Sequence, residues 1–309
     1  MLRRVLAFVR LGRLPFLAGG FILYGLGAAL AARPAGATGA AAAIDWRRYA
    51  WGQLAITIVQ LCTHYCNDYF DLAADRANAT PTRWSGGSRV LSGDELPAWV
   101  ALAAALVLAG AALLLAAAFA RDPAMPRGAP ALLGLMLLAA WEYSAPPLRL
   151  HSRGLGELDT ALVVTLLTPL FGFYLQARHV AAEVVLAALP LCAFQFAMLL
   201  AIEFPDAAGD AAAGKRTLVV RLGGARAARL YQWVLVAAYA ALPVLVACGL
   251  PGRLAAAFLL TAPVAAWQVA RMRRGAWRDP ARWESLAFVA VAMVGVGSGL
   301  MLVAALSGY

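Results

Sequence analysis

The sequence predicts an all-α integral membrane protein of nine transmembrane helices, and three observations predict it. The chain has 309 residues, of which 63% are hydrophobic and 14% charged, and its mean hydropathy is +0.74; a soluble domain carries about 25% charged residues. Nine apolar runs are each long enough to cross about 30 Å of hydrocarbon as a helix. The basic residues lie at the ends of those runs or between them, and they are shared out unevenly.

The N-terminus, M-L-R-R-V-L-A-F-V-R-L-G-R-L-P-F-L, is basic and mildly amphipathic and leads into a run over about 14–32. It has the order of a signal peptide, with small residues at Ala35–Ala37 where cleavage would fall. The run is long for such a segment and eight more follow, so a retained first span is expected. The others cover roughly 47–67, 97–120, 129–145, 154–177, 180–203, 228–249, 252–270 and 284–307. In the last of them Gly295 and Gly299 form a G-x-x-x-G pair, a helix-packing signal. Together the runs make one polytopic domain over 1–309.

Net charge is +10, from 25 arginines and the single Lys215 against 16 acids. The basic residues lie in short loops, not in a stripe with interleaved aromatics, so no nucleic-acid partner is expected; topogenic signalling and attraction to anionic lipid fit better. The N-terminus and the loops after the second, fourth, sixth and eighth runs hold nineteen of the 26 Lys and Arg. The other side holds Arg33, Arg47, Arg48, Arg121, Arg127, Arg178 and Arg253. That asymmetry predicts a cytoplasmic N-terminus, and the membrane expected is a bacterial inner (plasma) membrane. Cys62, Cys66, Cys192 and Cys248 lie inside apolar runs, which argues against a disulfide framework; Cys62 and Cys66, flanking His64, read as small apolar fillers.

The second run ends in N-D-Y-F-D-L-A-A-D, residues 67–75. Asp68, Asp71 and Asp75 stand at i, i+3 and i+7, within roughly 60° of arc on one helix face, and His64 shares that face. A carboxylate at a helix centre in hydrocarbon costs about 2.5–3.5 kcal/mol, and three together repel one another, so cations are needed to keep them ionised. After the sixth run Glu203, Asp206 and Asp210 repeat the spacing 135 residues later, with Pro205 expected to break the helix there. Each cluster ends an even-numbered run and precedes basic residues. Either one alone could equally be a solvated helix end; the pair suits diphosphate handling. Mg²⁺ is usually held by one or two carboxylates together with phosphate oxygens and water. Two facing clusters could hold two or more Mg²⁺ ions around a diphosphate, with Arg and Lys on its remaining oxygens. The metals would make the diphosphate a better leaving group, and the lipid-like remainder of the chain suits an isoprenoid tail.

These residues resemble the UbiA superfamily of intramembrane prenyltransferases. N-D-Y-F-D-L-A-A-D is similar to its first motif, N-D-x-x-D-x-x-x-D, and D-A-A-G-D at 206–210, followed by G-K-R-T-L-V-V-R-L-G, to its second. R-V-L-S-G at 89–93 looks like the basic patch after the first motif, and R-L-G-R-L-P-F-L at 10–17 like the family's N-terminal segment. E-Y-S-A-P-P-L at 142–148 and G-L-G-E at 154–157 lean towards the menaquinone branch, 1,4-dihydroxy-2-naphthoate prenyltransferase; Glu203 stands where such relatives often carry Asn. The resemblance implies nine helices around a central cavity under a cytoplasmic cap of helical loops. It implies Mg²⁺, a polyprenyl diphosphate ionised to an allylic cation, and an aromatic acceptor that attacks it. It assigns Asp68, Asp71, Asp75, Asp206 and Asp210 to metal, Asn67 to metal or diphosphate, and Glu203 as an additional ligand. Arg83, Arg89, Lys215 and Arg216 become candidates for the diphosphate. His64, Tyr143, Arg149 and Glu157 are acceptor-site candidates, with rival readings as a satisfied histidine, an interfacial anchor and a helix-terminal acid. The alternative acceptors are a glycerol-phosphate lipid and a porphyrin-type ring.

A cation-coupled transporter is the rival of a different class, but its sites lie near the midplane on broken helices, whereas both clusters here end their runs. An aspartate-motif phospholipid head-group transferase needs D-x-x-D-G, and Asp71 is followed by Leu72.

Overall fold

The computed structural model describes residues 2–32 and 43–307. Arg33 and the stretch Ala35–Ala37 lie outside the described residues. All nine apolar runs are helical, since a backbone in hydrocarbon satisfies its polar groups only within its own helix. In chain order the helices are α1 (Leu2–Leu11), α2 (Leu14–Ala31), α3 (Trp46–Phe70), α4 (Leu72–Ala77), α5 (Ala98–Arg121), α6 (Ala129–Ser144) and α7 (Gly156–Ala177). They continue with α8 (Ala182–Glu203), α9 (Ala207–Ala212), α10 (Leu218–Leu222), α11 (Gly224–Ala247), α12 (Gly252–Leu259), α13 (Ala262–Arg273) and α14 (Pro280–Leu306). Among the described residues there is no strand.

Six of these helices (α2, α5, α7, α8, α11 and α14) are long and apolar enough to cross a membrane, and the pair α12–α13, bent by 45°, makes a seventh. The helices of the other two expected spans do not meet that measure of length and composition. Helix α3 has 25 residues but carries polar side chains, and α6 has 16. Local chemistry sets several ends. Asp45 caps α3, its carboxylate accepting from the Arg48 N–H at 3.0 Å. Arg13, with φ of 46°, turns the chain sharply between α1 and α2, and Pro15 stands in the first turn of α2.

The helices pack into two apolar clusters. One joins α3, α5 and α6; the other joins α8, α11, α12 and α14; α2 and α7 contribute to both. Helices α2 and α7 meet backbone to backbone. A Cβ on Gly27 would overlap the Pro169 carbonyl, and one on Gly172 would overlap the Tyr24 carbonyl. The expected G-x-x-x-G contact is not there: nothing lies within 4 Å of a Cβ built on Gly295 or Gly299. Gly295 faces a cavity instead. That cavity, about 340 Å³, lies between the two clusters, walled by α2, α3, α7, α8 and α14 and reached by both acid-rich helix ends.

Candidate active site

The acids sit where helices break. Helix α3 stops at Phe70; Asp71 (φ −92°, ψ 0°) follows, and α4 restarts at Leu72. The Asp71 N–H still reaches the Asn67 carbonyl at 2.9 Å, and the Asp75 N–H the Asp71 carbonyl at 2.9 Å, so the helical course continues through the break. Helix α8 ends at Glu203, and the turn Phe204–Pro205–Asp206 precedes α9, because Pro205 has no N–H to continue the ladder. There the Asp210 N–H reaches the Asp206 carbonyl at 2.9 Å.

Tertiary contacts bring the two breaks together. Lys215 Nζ, from the second motif, donates to Asp71 Oδ2 of the first at 2.8 Å and lies 3.5 Å from Asp210 Oδ1. Asn78 Nδ2 donates to Asp206 Oδ1 at 2.7 Å, and the Gly86 N–H donates to Asp206 Oδ2 at 2.9 Å. The Thr80 hydroxyl reaches the Pro205 carbonyl at 3.1 Å. A Cβ on Gly209 would press on the Asn78 backbone, so only glycine lets α9 lie this close to the end of α4.

Nine of the sequence-predicted residues line the one cavity: Asn67, Asp71, Asp75, Glu203, Asp206, Asp210, Lys215, His64 and Tyr143. Asp68 is turned away from it, buried against the Arg13 guanidinium and the Ser88 hydroxyl, both of which donate to it. Asn67 Nδ2 donates to Asp71 Oδ2 at 2.7 Å and to the Ser144 hydroxyl at 3.0 Å. Glu157 is fully buried beside Glu203, close enough for their two carboxyls to interact directly. Arg83, Arg149 and Arg216 are exposed and outside the cavity wall, and Arg89 donates to the Asp75 carbonyl at 2.5 Å from behind the motif.

Several site residues escaped the sequence reading. Arg13 looked like a topogenic charge but lines the cavity and holds Asp68. His151 Nε2 donates to Asp71 Oδ1 at 2.6 Å, and its Nδ1 donates to the Tyr143 carbonyl at 2.5 Å. The loop Ser85-Gly86-Gly87-Ser88 closes over both motifs, and its paired glycines were the available signal. Gly86 and Gly87 have φ of 73° and 72°, a region that disfavours side chains. A Cβ on Gly87 would also strike the Asp75 carboxylate. Gly87→Ala is therefore expected to displace Asp75 and weaken Mg²⁺ binding, read as a higher Mg²⁺ concentration for half-maximal turnover.

The electrostatics follow from burial and neighbours. Burial by itself raises the Asp71 carboxyl, but Lys215 and His151 outweigh it and hold it below the ordinary carboxylate range. Burial disfavours the charge on Lys215, yet Asp71 and Asp210 outweigh that and raise it. Asp75 is pushed up to about 7 by burial and the nearby Asp71 charge, and Asp210 to about 6 by burial despite Lys215. Protein donors thus leave part of this acid excess unmatched. Among the described residues no three His, Cys, Asp or Glu side chains converge as a ready-made metal site. A hard cation such as Mg²⁺ usually takes one or two carboxylates from a protein and the rest of its oxygens from a ligand and water.

Fold and site together define a helical membrane bundle whose acid-lined cavity runs from polar helix ends into apolar walls. The chain matches the UbiA prenyltransferase family over residues 14–304, and it belongs to that family. Solved structures agree on the fold. A structure from work on digeranylgeranylglyceryl phosphate synthase has a TM-score of 0.65 at 16% identity, covering 98% of this chain and 99% of its own. A UbiA homologue from Aeropyrum pernix K1 gives 0.65 at 18% identity over 94% and 98% of the two chains. Another from Archaeoglobus fulgidus, bound to DMAPP and Mg²⁺, gives 0.60 at 14% over 95% and 98%. Among curated proteins none matches the chain.

Proposed function

We propose that the protein transfers a prenyl group from a polyprenyl diphosphate to an aromatic, quinone-precursor acceptor, with Mg²⁺ as cofactor. The observation that carries this reading is the meeting of two acid clusters, 135 residues apart, at one end of one cavity. The cavity's other walls are apolar: Ile22 and Leu23 on α2, Met198 and Leu199 on α8, Val291 and Val294 on α14. One end suits metal and diphosphate; the rest suits an isoprenoid. Asp71, Asp75, Asp206 and Asp210, with Asn67 beside them, would hold Mg²⁺, which when bound neutralises the diphosphate as a leaving group. Asp68 would act through Arg13, keeping that guanidinium at the cavity wall. Lys215 is the one of the four predicted diphosphate-binding residues that reaches the cavity. Phe16 and Trp84, 5.9 Å apart, and Tyr143 line the cavity and would shield the allylic cation from water and face it with π-electrons.

The same reading takes α3 and α6 as spans, for nine in all, with the N-terminus and both motifs cytoplasmic in a bacterial inner membrane. The loops carrying α4, α9 and α10 then form the cap. The acceptor proposed is 1,4-dihydroxy-2-naphthoate or a close relative, on the sequence pattern at 142–148 and 154–157. Purified protein given labelled geranylgeranyl diphosphate, Mg²⁺ and a panel of naphthoate, benzoate, porphyrin and glycerol-phosphate acceptors tests it. A prenylated naphthoate is expected, and a product only with glycerol phosphate would overturn the aromatic reading.

The raised carboxyls give a pH dependence. Only ionised Asp75 and Asp210 can ligate Mg²⁺, and with values of about 7 and 6 both take up protons as pH falls from 8 to 6. The Mg²⁺ concentration for half-maximal turnover should therefore rise as pH falls across that range, and saturating Mg²⁺ should restore part of the lost rate. A pH-independent Mg²⁺ requirement would count against these ligands.

A further inference from the structure

A second, smaller cavity of about 90 Å³ opens beside the main one, between α3, α6 and α7. The two share Gln60, Thr63, His64, Tyr143, Thr160 and Val164 as walls, so an occupant of one reaches the other. Its remaining lining is apolar apart from Asp159 and Thr168.

Two of its polar side chains present acceptors that no protein donor meets among the described residues. The His64 Nδ1–H donates to the Gly12 carbonyl at 2.8 Å, which leaves Nε2 with a lone pair and no protein partner among the described residues. Asp159, at the start of α7, has a half-buried carboxylate with no side-chain or backbone donor among the described residues. Asp159 and His64 thus bring unsatisfied acceptors to this space, and among the described residues no Lys or Arg lines it. Buried acceptors left so are costly unless a ligand satisfies them. Beside Asp159, residues Ala161–Leu167 form a π-helical segment, which carries Val163 and Val164 into the wall. Such wide turns recur at functional sites.

We propose that this side cavity seats the hydroxyl-bearing edge of the aromatic acceptor, with Asp159 and His64 Nε2 accepting its hydroxyl hydrogens; this rests on the aromatic-acceptor reading above. A ring held by its hydroxyls here, against Tyr143, turns its other edge into the main cavity, where the donor's reacting carbon would lie. With no cation in the side cavity, an acceptor's carboxylate has a counter-charge only in the main cavity, at Arg13 or Lys215. Recognition in the side cavity is therefore of hydroxyl groups, and Asp159 and His64 set specificity.

The test uses full-length protein in detergent, geranylgeranyl diphosphate and Mg²⁺, with 1,4-naphthalenediol kept reduced, its monomethyl and dimethyl ethers, and 1,4-dihydroxy-2-naphthoate as acceptors. For the wild type, each methyl ether is expected to raise the acceptor KM. Asp159→Asn, which keeps the shape, should raise the naphthalenediol KM about tenfold or more while leaving the donor KM in place. His64→Phe should act in the same sense, and Val163→Trp, filling the cavity, should block the acceptor without changing the donor KM. Equal use of the dimethyl ether and the diol, or an unaltered acceptor KM in both Asp159→Asn and His64→Phe, overturns the subsite while leaving the aromatic reading intact. Failure of the wild type to prenylate any ring, with diphosphate still released, overturns the aromatic reading and the subsite with it.

Discussion

Asp71→Asn is expected to lower Mg²⁺-dependent diphosphate release from a prenyl donor by roughly 10²–10³-fold, the scale on which removing one transition-state charge stabiliser acts. Asp71 is the junction of the site. It accepts from Lys215 at 2.8 Å, His151 at 2.6 Å and Asn67 at 2.7 Å, and it lines the cavity with carboxylates from both motifs. The amide keeps an oxygen for Lys215 or His151 but removes the charge that a divalent cation needs. Asp206→Ala should act similarly from the second motif, with an added loss of the Asn78 and Gly86 contacts that tie the loop to that motif. The measurement is release of labelled diphosphate by purified protein whose elution profile and thermal unfolding match the wild type. Full rate in either variant would remove the Mg²⁺–diphosphate assignment.

Gly27→Val should cost folded protein rather than chemistry. The Pro169 carbonyl fills the place of a Gly27 Cβ, and the Tyr24 carbonyl fills that of Gly172. Backbone atoms cannot turn aside as a flexible side chain does, so α2 and α7 would have to separate. Overpacking a core typically costs about 1–3 kcal/mol, and a backbone clash belongs at or above the top of that range. Separation would also pull apart two walls of the main cavity. Gly299→Val is the matched control, because its Cβ enters open space. A large drop in thermal unfolding temperature is expected for Gly27→Val and little change for Gly299→Val; the reverse order would show that the close approach is misassigned.

The contrast between these glycines shows how far sequence reading reaches. Gly295 and Gly299 carry the recognised spacing yet touch no partner, and Gly27 and Gly172, in unremarkable surroundings, form the contact. A small residue permits close approach, but which helix approaches is a matter of three-dimensional packing. Charges behave in the same way. Lys215 stood out as the lone lysine and does reach the acids of both motifs, at 2.8 Å and 3.5 Å. Arg83 and Arg216, named with it for the diphosphate, and Arg149, named for the acceptor, are exposed. Arg13 and His151 had no spacing to betray them, since each meets its aspartate across more than 50 residues of chain.

What the sequence determines by itself is what local chemistry determines. Apolar runs of spanning length must be helical, because hydrocarbon gives the backbone no other partner. Pro205 ends α8 because it lacks an N–H, and the 3-and-7 spacing of the acids follows from the helical repeat. Only the tertiary structure decides that Asp71, Asp75, Asp206 and Asp210 share one cavity, that Asp68 is given to Arg13, and that Glu157 and Glu203 are buried together. It alone places Asp159 and His64 on one small space. These are contacts between residues tens to more than a hundred positions apart, set by how the helices pack and by no periodicity within any one of them.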